Sequence, residues 1–236
     1  MKIRFLGKWS SNIVAGERNV SFALDDKIIF DFGPHALESL LESKVDPRKA
    51  EVIAITHMHL DHFSGLPELF WYRAIYKAEN RLMVLGPKGI KNNTEKLLKL
   101  LHTPEEFKVD AEFIEDEDYE FIRHIKANHT IVDNGYRIEY GGKTLFYTGD
   151  TAYSKNVVNG SQDVDMLVHE MTYTDNGKKE ADFWKHSTYS TTMQVFEESH
   201  AKRLVPVHLT VDSDNLVKGL LKSNKMIIYP AGIIDL

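Results

Sequence analysis

Five short apolar runs in this chain each lead into a histidine or a carboxylate. Val52–Thr56 runs into His57, Phe121–Ala127 leads to His129, and Thr144–Thr148 leads to Gly149 and Asp150. Val164–Val168 leads to His169 and Glu170, and Arg203–Val207 leads to His208. Runs of this length, bounded by turn residues, read as buried strands. Stretches with helical spacing alternate with them, which is an α/β signature. In α/β sheets, ligands gather beyond the carboxyl ends of the strands. One polar strand end is ordinary turn chemistry. Five of them predict strands that deliver a site.

The other elements follow the same logic. Ile3–Leu6, Val20–Leu24 and Lys27–Phe32 read as early strands, with Asp25-Asp26 as a hairpin turn. Asp31-Phe32-Gly33-Pro34 breaks the third. Ala36–Leu41 and Leu66–Tyr76 read as helices, Arg81–Leu85 as a strand, and Gly86-Pro87 as a turn into a helix reaching about Leu101. A turn is expected at Gly141-Gly142, and a helix from near Ser190, with Thr191 and Gln194 at capping-box spacing. Glu115–Asp118 with Glu120 reads as a solvated turn, and Lys88, Lys91, Lys96 and Lys99 as the wet face of one helix. No low-complexity linker or repeat interrupts the chain, so residues 1–236 are expected to form one domain.

Composition excludes some functions. The chain has 42% hydrophobic and 27% charged residues, enough for a sizeable core. A net charge of −6 shows no global bias toward nucleic acid or an acidic membrane. Without cysteine there are no disulfides and no thiolate-bound metals. Met1–Gly7 is too short and too polar for a signal peptide, and no run approaches the ~20 apolar residues that span a bilayer. A cytoplasmic protein without a membrane partner is expected.

The densest polar cluster is His57-Met-His59-Leu-Asp61-His62, with four potential metal ligands in six positions. The bland reading is a polar loop capping the next helix, with Asp61 as N-cap. Capping, however, needs no three histidines, whereas imidazole and carboxylate together suit a divalent ion. Alternation along an extended chain lets His57 and His59 grip one ion while Asp61 and His62 face a second. Two-metal sites hold their ions roughly 3.5–4 Å apart. One short segment cannot close two coordination shells. His129, Asp150 and His208, each weak alone, stand where strand tips would supply the remainder.

Glu170 and His186 form a second kind of pair. His186 is either a surface residue near a helix cap or an imidazole oriented by the Glu170 carboxylate and poised as a general acid. His169 points away from Glu170 if its strand persists. His35, His102, His124 and His200 have no partner visible in the sequence. Trp71 and Tyr72 read as core; Tyr153, Tyr173 and Trp184 could pack or could stack on a base.

Taken in order, His57-x-His59-x-Asp61-His62, His129, Asp150 and His208 resemble the metallo-β-lactamase superfamily of binuclear hydrolases over most of the chain. The finer resemblance is to the ribonuclease Z-like branch. It rests on Arg18-Asn19, Leu85-Gly86-Pro87-Lys-Gly89, Gly135-Tyr136-Arg-Ile138, His169-Glu170-Met-Thr172 (with Met171 where that branch has alanine) and His186-Ser187-Thr188. The resemblance implies a four-layer αββα sandwich of two mixed sheets with helices outside. It also implies one ion on His57, His59 and His129, another on Asp61, His62 and His208, Asp150 bridging, and a homodimer. Ribonuclease Z proper carries a long tRNA-gripping arm, typically between the third histidine and the bridging aspartate. Here two strands and a turn nearly fill that interval.

The expected activity is therefore metal-dependent hydrolysis of a small or flexible phosphodiester, such as a nucleotide or an RNA end. Two divalent ions would lower the pKa of a water, Asp61 would orient it and take its proton, and His186, held by Glu170, would protonate the leaving alkoxide. Zn²⁺ suits these ligands best, and Mn²⁺ and Fe²⁺ accept the same types. The alternatives are a tRNA 3′-processing endonuclease, an aryl sulfatase, a lactonase or thioesterase on the same metal core, and a metal-binding protein without turnover.

Overall fold

The computed structural model describes residues 1–107 and 110–236. The first sheet is built from β1 (Lys2–Gly7), β2 (Ser21–Leu24), β3 (Ile28–Phe30), β4 (Val52–Ala54), β5 (Leu82–Gly86) and β6 (Ala111–Glu115). The second contains β7 (Ile122–Lys126), β8 (Asn134–Tyr140), β9 (Lys143–Tyr147), β10 (Met166–Glu170) and β11 (Leu204–Val207). The chain then returns as β12 (Ile233–Asp235) to the edge of the first sheet, beside β1. The orders are β12-β1-β2-β3-β4-β5-β6 and β11-β10-β9-β8-β7. In the first sheet β3 to β6 run parallel and the rest antiparallel; in the second β9, β10 and β11 run parallel, and β8 reverses between β7 and β9. Both sheets are mixed, as expected.

Strand alternation sorts the apolar side chains into three cores. Phe22, Phe30, Ala54, Tyr136, Tyr147, Val168 and Val207 point between the two sheets. Their in-between neighbours Ala23, Ile29 and Ile53 point outward onto α1 (Ala36–Glu42), α3 (Leu66–Ile75) and α4 (Ile90–Leu100), and a short α2 (Leu60–Phe63) precedes α3. On the other side Phe146, Leu167 and Leu204 meet α5 (Lys155–Gly160), α7 (Tyr189–Ser199) and α8 (Val211–Leu220). Burial on both faces explains why these strands read as continuous apolar runs. The result is the αββα sandwich. Among the described residues, no helix is long and apolar enough to cross a membrane.

The turns fall where their chemistry requires. Asp25 and Asp26 have φ of 46° and 59°, and Gly141 and Gly142 have 59° and 71°. Two consecutive positive φ values are what a tight two-residue hairpin needs to match strand twist. Between His129 and Asp150 there is therefore only β8, this turn and β9.

Three readings need correction. The helix expected from near Ser190 is capped by Thr188, whose side chain accepts from the Thr191 amide, so Thr191 lies inside the helix. The segment at Glu115–Asp118 is more than a wet turn: Asp116 accepts from Lys126 and from Asn134 Nδ2 at 2.9 Å, tying the edge of one sheet to the other. Trp71 and Tyr72 are half-buried, and Trp71 Nε1 donates to Thr103 Oγ1 at 2.9 Å. Lys88, Lys91, Lys96 and Lys99 are exposed, as expected, but Lys88 stands in the turn before α4 and not on the helix.

Candidate metal and catalytic site

All parallel strands of each sheet deliver their carboxyl ends to one edge of the sandwich. β4 leads to His57, β7 to His129, β9 to Asp150, β10 to Glu170 and β11 to His208. β3 ends there too, and it delivers Asp31, a buried carboxylate that sequence reasoning treated only as a strand breaker. His57, His62 and Glu170 are fully buried, and Asp61, His129, Asp150 and His208 nearly so.

His57 Nε2 stands 3.0 Å from His59 Nδ1, which is 3.2 Å from His129 Nε2. Three nitrogens around one zinc ion stand about 3.3 Å apart in a tetrahedron, so this triad has the right span. On the other side Asp61 Oδ2 is 3.5 Å from His62 Nε2 and 3.2 Å from His208 Nε2. Asp150 Oδ2 lies between the groups, 3.7 Å from His57 Nε2, 3.4 Å from His62 Nε2 and 3.3 Å from His208 Nε2. The seven residues singled out as ligands thus converge, with His57, His59 and His129 in one group, Asp61, His62 and His208 in another, and Asp150 between them.

The outer hydrogen bonds set the tautomers. His57 Nδ1 meets Asp133 Oδ2 at 2.8 Å, His62 Nδ1 meets Asp31 Oδ2 at 2.8 Å, and His129 Nδ1 donates to the Lys185 carbonyl at 3.2 Å. The Thr172 hydroxyl donates to Glu170 Oε2 at 2.6 Å, so it accepts from His208 Nδ1 at 2.8 Å. With Nδ1 protonated on all four rings, each turns a bare Nε2 inward. Carboxylate or carbonyl partners of this kind orient metal-binding imidazoles. Two further observations fit a cation. Among the described residues, His62 Nε2 and Asp150 Oδ1 are buried without a hydrogen-bond partner, a costly arrangement unless something positive satisfies them. Burial lowers the proton affinity of His62, yet Asp150, Asp61 and Asp31 together drive it far above its ordinary value. The carboxylates demand positive charge where Nε2 points. The residues present therefore suit divalent ions.

Local backbone geometry supports this packing. Gly33 lies so close to α2 that a Cβ there would fall 1.9 Å from the Asp61 carbonyl oxygen. Gly149 has φ 61°, and a Cβ there would fall 2.3 Å from Asp133 Oδ1, while the next amide, Asp150 N, donates to Asp133 Oδ2 at 3.1 Å. Asp31 and His208 also sit at positive φ, 54° and 56°. For a residue with a Cβ this costs about 1–2 kcal/mol each. The surrounding network holds them there.

Asp31 is the centre of that network. It accepts from the Thr56 amide at 2.8 Å, the Tyr147 hydroxyl at 2.6 Å, Thr56 Oγ1 at 3.0 Å and His62 Nδ1. Tyr147 reaches it from the inter-sheet core, edge-on to Phe22 with ring centroids 5.1 Å apart. Asp31→Ala would orphan all these donors. It is expected to cost about 3–5 kcal/mol, measurable as a lower urea midpoint with an unchanged slope; a loss below ~1 kcal/mol would refute this role.

Beside the triads, His186 Nδ1 donates to Glu170 Oε1 at 2.9 Å. Glu170 is itself fixed by the Thr151 amide at 3.0 Å and by the Thr172 amide and hydroxyl. Burial lowers the His186 pKa, but the Glu170 carboxylate outweighs it, with Asp150 adding to the rise, and the ring is pushed up to about 9. Burial would raise Glu170, and His186 holds it below its ordinary range. His186 lies 3.9 Å from Asp150 Oδ2 and lines, with Asp61, His59, His129 and His208, an open cleft of about 450 Å³. Sequence reasoning missed Asp31, Asp133 and the Lys185 carbonyl, and named Thr172 only as the end of the His169-Glu170-Met-Thr172 motif, without a role. Asp31 obeys the strand-end rule; Asp133 and the Lys185 carbonyl carry no pattern of their own. His169 is buried, with its Nδ1 on the Glu170 carbonyl at 2.6 Å. His35 and His124 pair with Glu38 and Asp118.

Residues 27–209 match the family model of a β-lactamase superfamily domain. Ribonuclease Z of Bacillus subtilis (strain 168) is 27% identical over 295 aligned positions, covering 99% of this chain and 96% of the relative. Among solved structures, the short form of human tRNase Z superposes with a TM-score of 0.82 at 20% identity, covering 100% of this chain and 99% of the other. A diphosphatase from the PhnP family superposes at 0.78 and 18% identity, covering 100% and 97%. Both superpositions share the sandwich described above. With the family model spanning most of its length, the chain belongs to the β-lactamase superfamily, in the metallo-β-lactamase fold, with ribonuclease Z among its relatives.

Proposed function

We propose that this chain is a metal-dependent phosphodiesterase acting on a small or flexible phosphodiester. The observation that carries the reading is the pair of buried Glu170 and half-buried His186, with His186 3.9 Å from Asp150 and opening on the same cleft as both triads. His57, His59 and His129 would hold one divalent ion, Asp61, His62 and His208 a second, with Asp150 between them. Such ions, Zn²⁺ by ligand type and Mn²⁺ or Fe²⁺ by the same donors, lower the pKa of water and offset charge on phosphoryl oxygens.

The chain's own groups do the rest. Asp61, kept ionised by His62 and His208 against the opposing effect of burial, orients the attacking water and accepts its proton. The water oxygen bonds to phosphorus as the opposite P–O bond breaks. His186, whose Nδ1 is committed to Glu170, presents Nε2–H to the departing oxygen. The products are a phosphomonoester and an alcohol. An acid of this kind is needed when the leaving group is an alkoxide, and much less when it is a stabilised phenolate, carboxylate or thiolate. This favours a phosphodiester over a thioester or an aryl sulfate, whose leaving groups depart without a proton; a lactone also releases an alkoxide, and a substrate panel separates it.

Relatives named ribonuclease Z favour an RNA-like diester. Their alignment runs over 295 positions against a chain of 236 residues, so they hold stretches that this chain lacks. The short β8–β9 hairpin and the acidic net charge weigh against a tRNA grip. Metal-loaded protein should be offered bis-(p-nitrophenyl) phosphate, a dinucleoside monophosphate, a tRNA precursor, an aryl sulfate, a lactone and a thioester. The diesters are expected to exceed the lactone and thioester in kcat/KM by at least about a hundredfold. Lactone or thioester turnover with inert diesters would overturn the reading.

A further inference from the structure

Among the described residues, no lysine or arginine lines the cleft; Lys178, Lys179 and Lys185, on the neighbouring segment, are exposed outside it. A groove of about 630 Å³ continues from it, sharing Tyr173 and Thr210, and offers Thr174, Asn176 and Asn215, with Asp212 as the one charged side chain among the described residues that line it. Lys185, next to His186, contributes its carbonyl to His129, and its side chain is exposed outside the cleft lining. What the loops around the cleft offer is apolar. Half of the large hydrophobic side chains exposed among the described residues sit on the segments that ring the site, including Ile13, Leu60, Val132, Phe183, Trp184 and Val211. Phe183 is 72% exposed and Trp184 53%, on α6 (Lys178–Trp184), ring edge to ring face with centroids 4.8 Å apart.

Two of these groups, Trp184 and Leu60, line the cleft beside His186. The leaving oxygen must reach His186, so the group attached to it lies against Trp184 and Tyr173, whose ring centroid is 6.1 Å from that of His186. Planar groups stack on such rings. A second phosphate on the substrate would meet amides, hydroxyls and an aspartate, with no side-chain cation to offset its desolvation.

Resting on the phosphodiesterase reading, we infer that the substrate is a diester with a single phosphate and two uncharged organic groups, its leaving group a nucleoside-like planar alcohol stacked on Trp184. Substrates with additional phosphates are selected against by the cation-free cleft and groove. The water oxygen still replaces the leaving oxygen on phosphorus, and the His186 proton leaves with the alcohol.

The test compares adenylyl-adenosine with the same dinucleotide bearing a 5′-terminal phosphate, with bis-(p-nitrophenyl) phosphate as a control for the chemistry. The terminal phosphate is expected to lower kcat/KM about tenfold or more, and kcat/KM for the dinucleotide without it should change less than about twofold between 50 and 300 mM salt. Trp184→Ala should raise KM for adenylyl-adenosine about tenfold at unchanged metal content and Tm, and Trp184→Phe should restore most of it. Equal or faster turnover of the phosphorylated dinucleotide would overturn the inference while leaving the phosphodiesterase reading intact. So would an unchanged KM in Trp184→Ala, above all if scattering showed that the variant had dissociated from a dimer. Inert bis-(p-nitrophenyl) phosphate would instead sink the underlying reading, and this inference with it.

Discussion

Removing divalent ions with a chelator is expected to abolish phosphodiester hydrolysis and to lower the Tm by roughly 10 °C for each ion removed. At a thousandfold excess over its dissociation constant, each bound ion adds about 4 kcal/mol to the stability of the folded state. For a chain of this size 1 kcal/mol moves Tm by about 2–4 °C. The structural basis is the charge that the ions would offset. Asp31, Asp61, Asp133, Asp150 and Glu170 are all buried at one sheet edge, and among the described residues Asp150 Oδ1 and His62 Nε2 lack hydrogen-bond partners. The ion-free protein should then depend on protons for compensation. His186, at about 9 in this state against an ordinary 6.5, contributes stability that is fully present below pH ~6.5 and lost as pH rises through 9. Calorimetry of chelated and zinc-reloaded protein between pH 6 and 9.5, with metal content measured alongside, checks both parts. Identical Tm values and undiminished activity at less than about 0.1 ion per chain would refute a metal-held site.

The legible part of this site was local or rule-bound. His57 to His62 is dense enough to be seen without a partner, and the strand-end rule found His129, Asp150 and His208 because each follows an apolar run. The unread part lies in contacts that leave no trace along the chain. Asp133 reaches His57 only because Gly149, with φ 61°, leaves room for it. The tautomer of His129 is set by a carbonyl, which every residue possesses. Asp31 was accessible to the same rule, but the Gly33-Pro34 that follows it reads more loudly as a turn. At the level of the fold, the edge strand β6 escaped notice because Ala-Glu-Phe-Ile-Glu carries charges on its outer flank, as edge strands commonly do. Helix α8 was missed because its first turn is rich in aspartate and serine, which also populate loops.

His186→Ala is expected to separate chemistry from binding. General acids contribute about 10²–10⁴-fold, and that loss should fall on kcat for a dinucleoside monophosphate, whose leaving group is a basic alkoxide. For bis-(p-nitrophenyl) phosphate, whose nitrophenolate departs without a proton, the loss should stay below about tenfold. KM should change little in either case, because the proton is given only as the bond breaks. Glu170→Gln provides the complementary result. Glu170 acts through His186, so it is a positioning residue, and the neutral amide removes the charge that holds the imidazole up. The alkaline limb of kcat/KM, where the acid loses its proton, should therefore move to lower pH in Glu170→Gln and vanish in His186→Ala. The His186 ring also packs on His208 at 5.2 Å, so each variant needs its metal content and Tm checked against wild type. A uniform loss on both substrates at wild-type metal content would reassign His186 from proton donor to a structural support of the His208 side of the site.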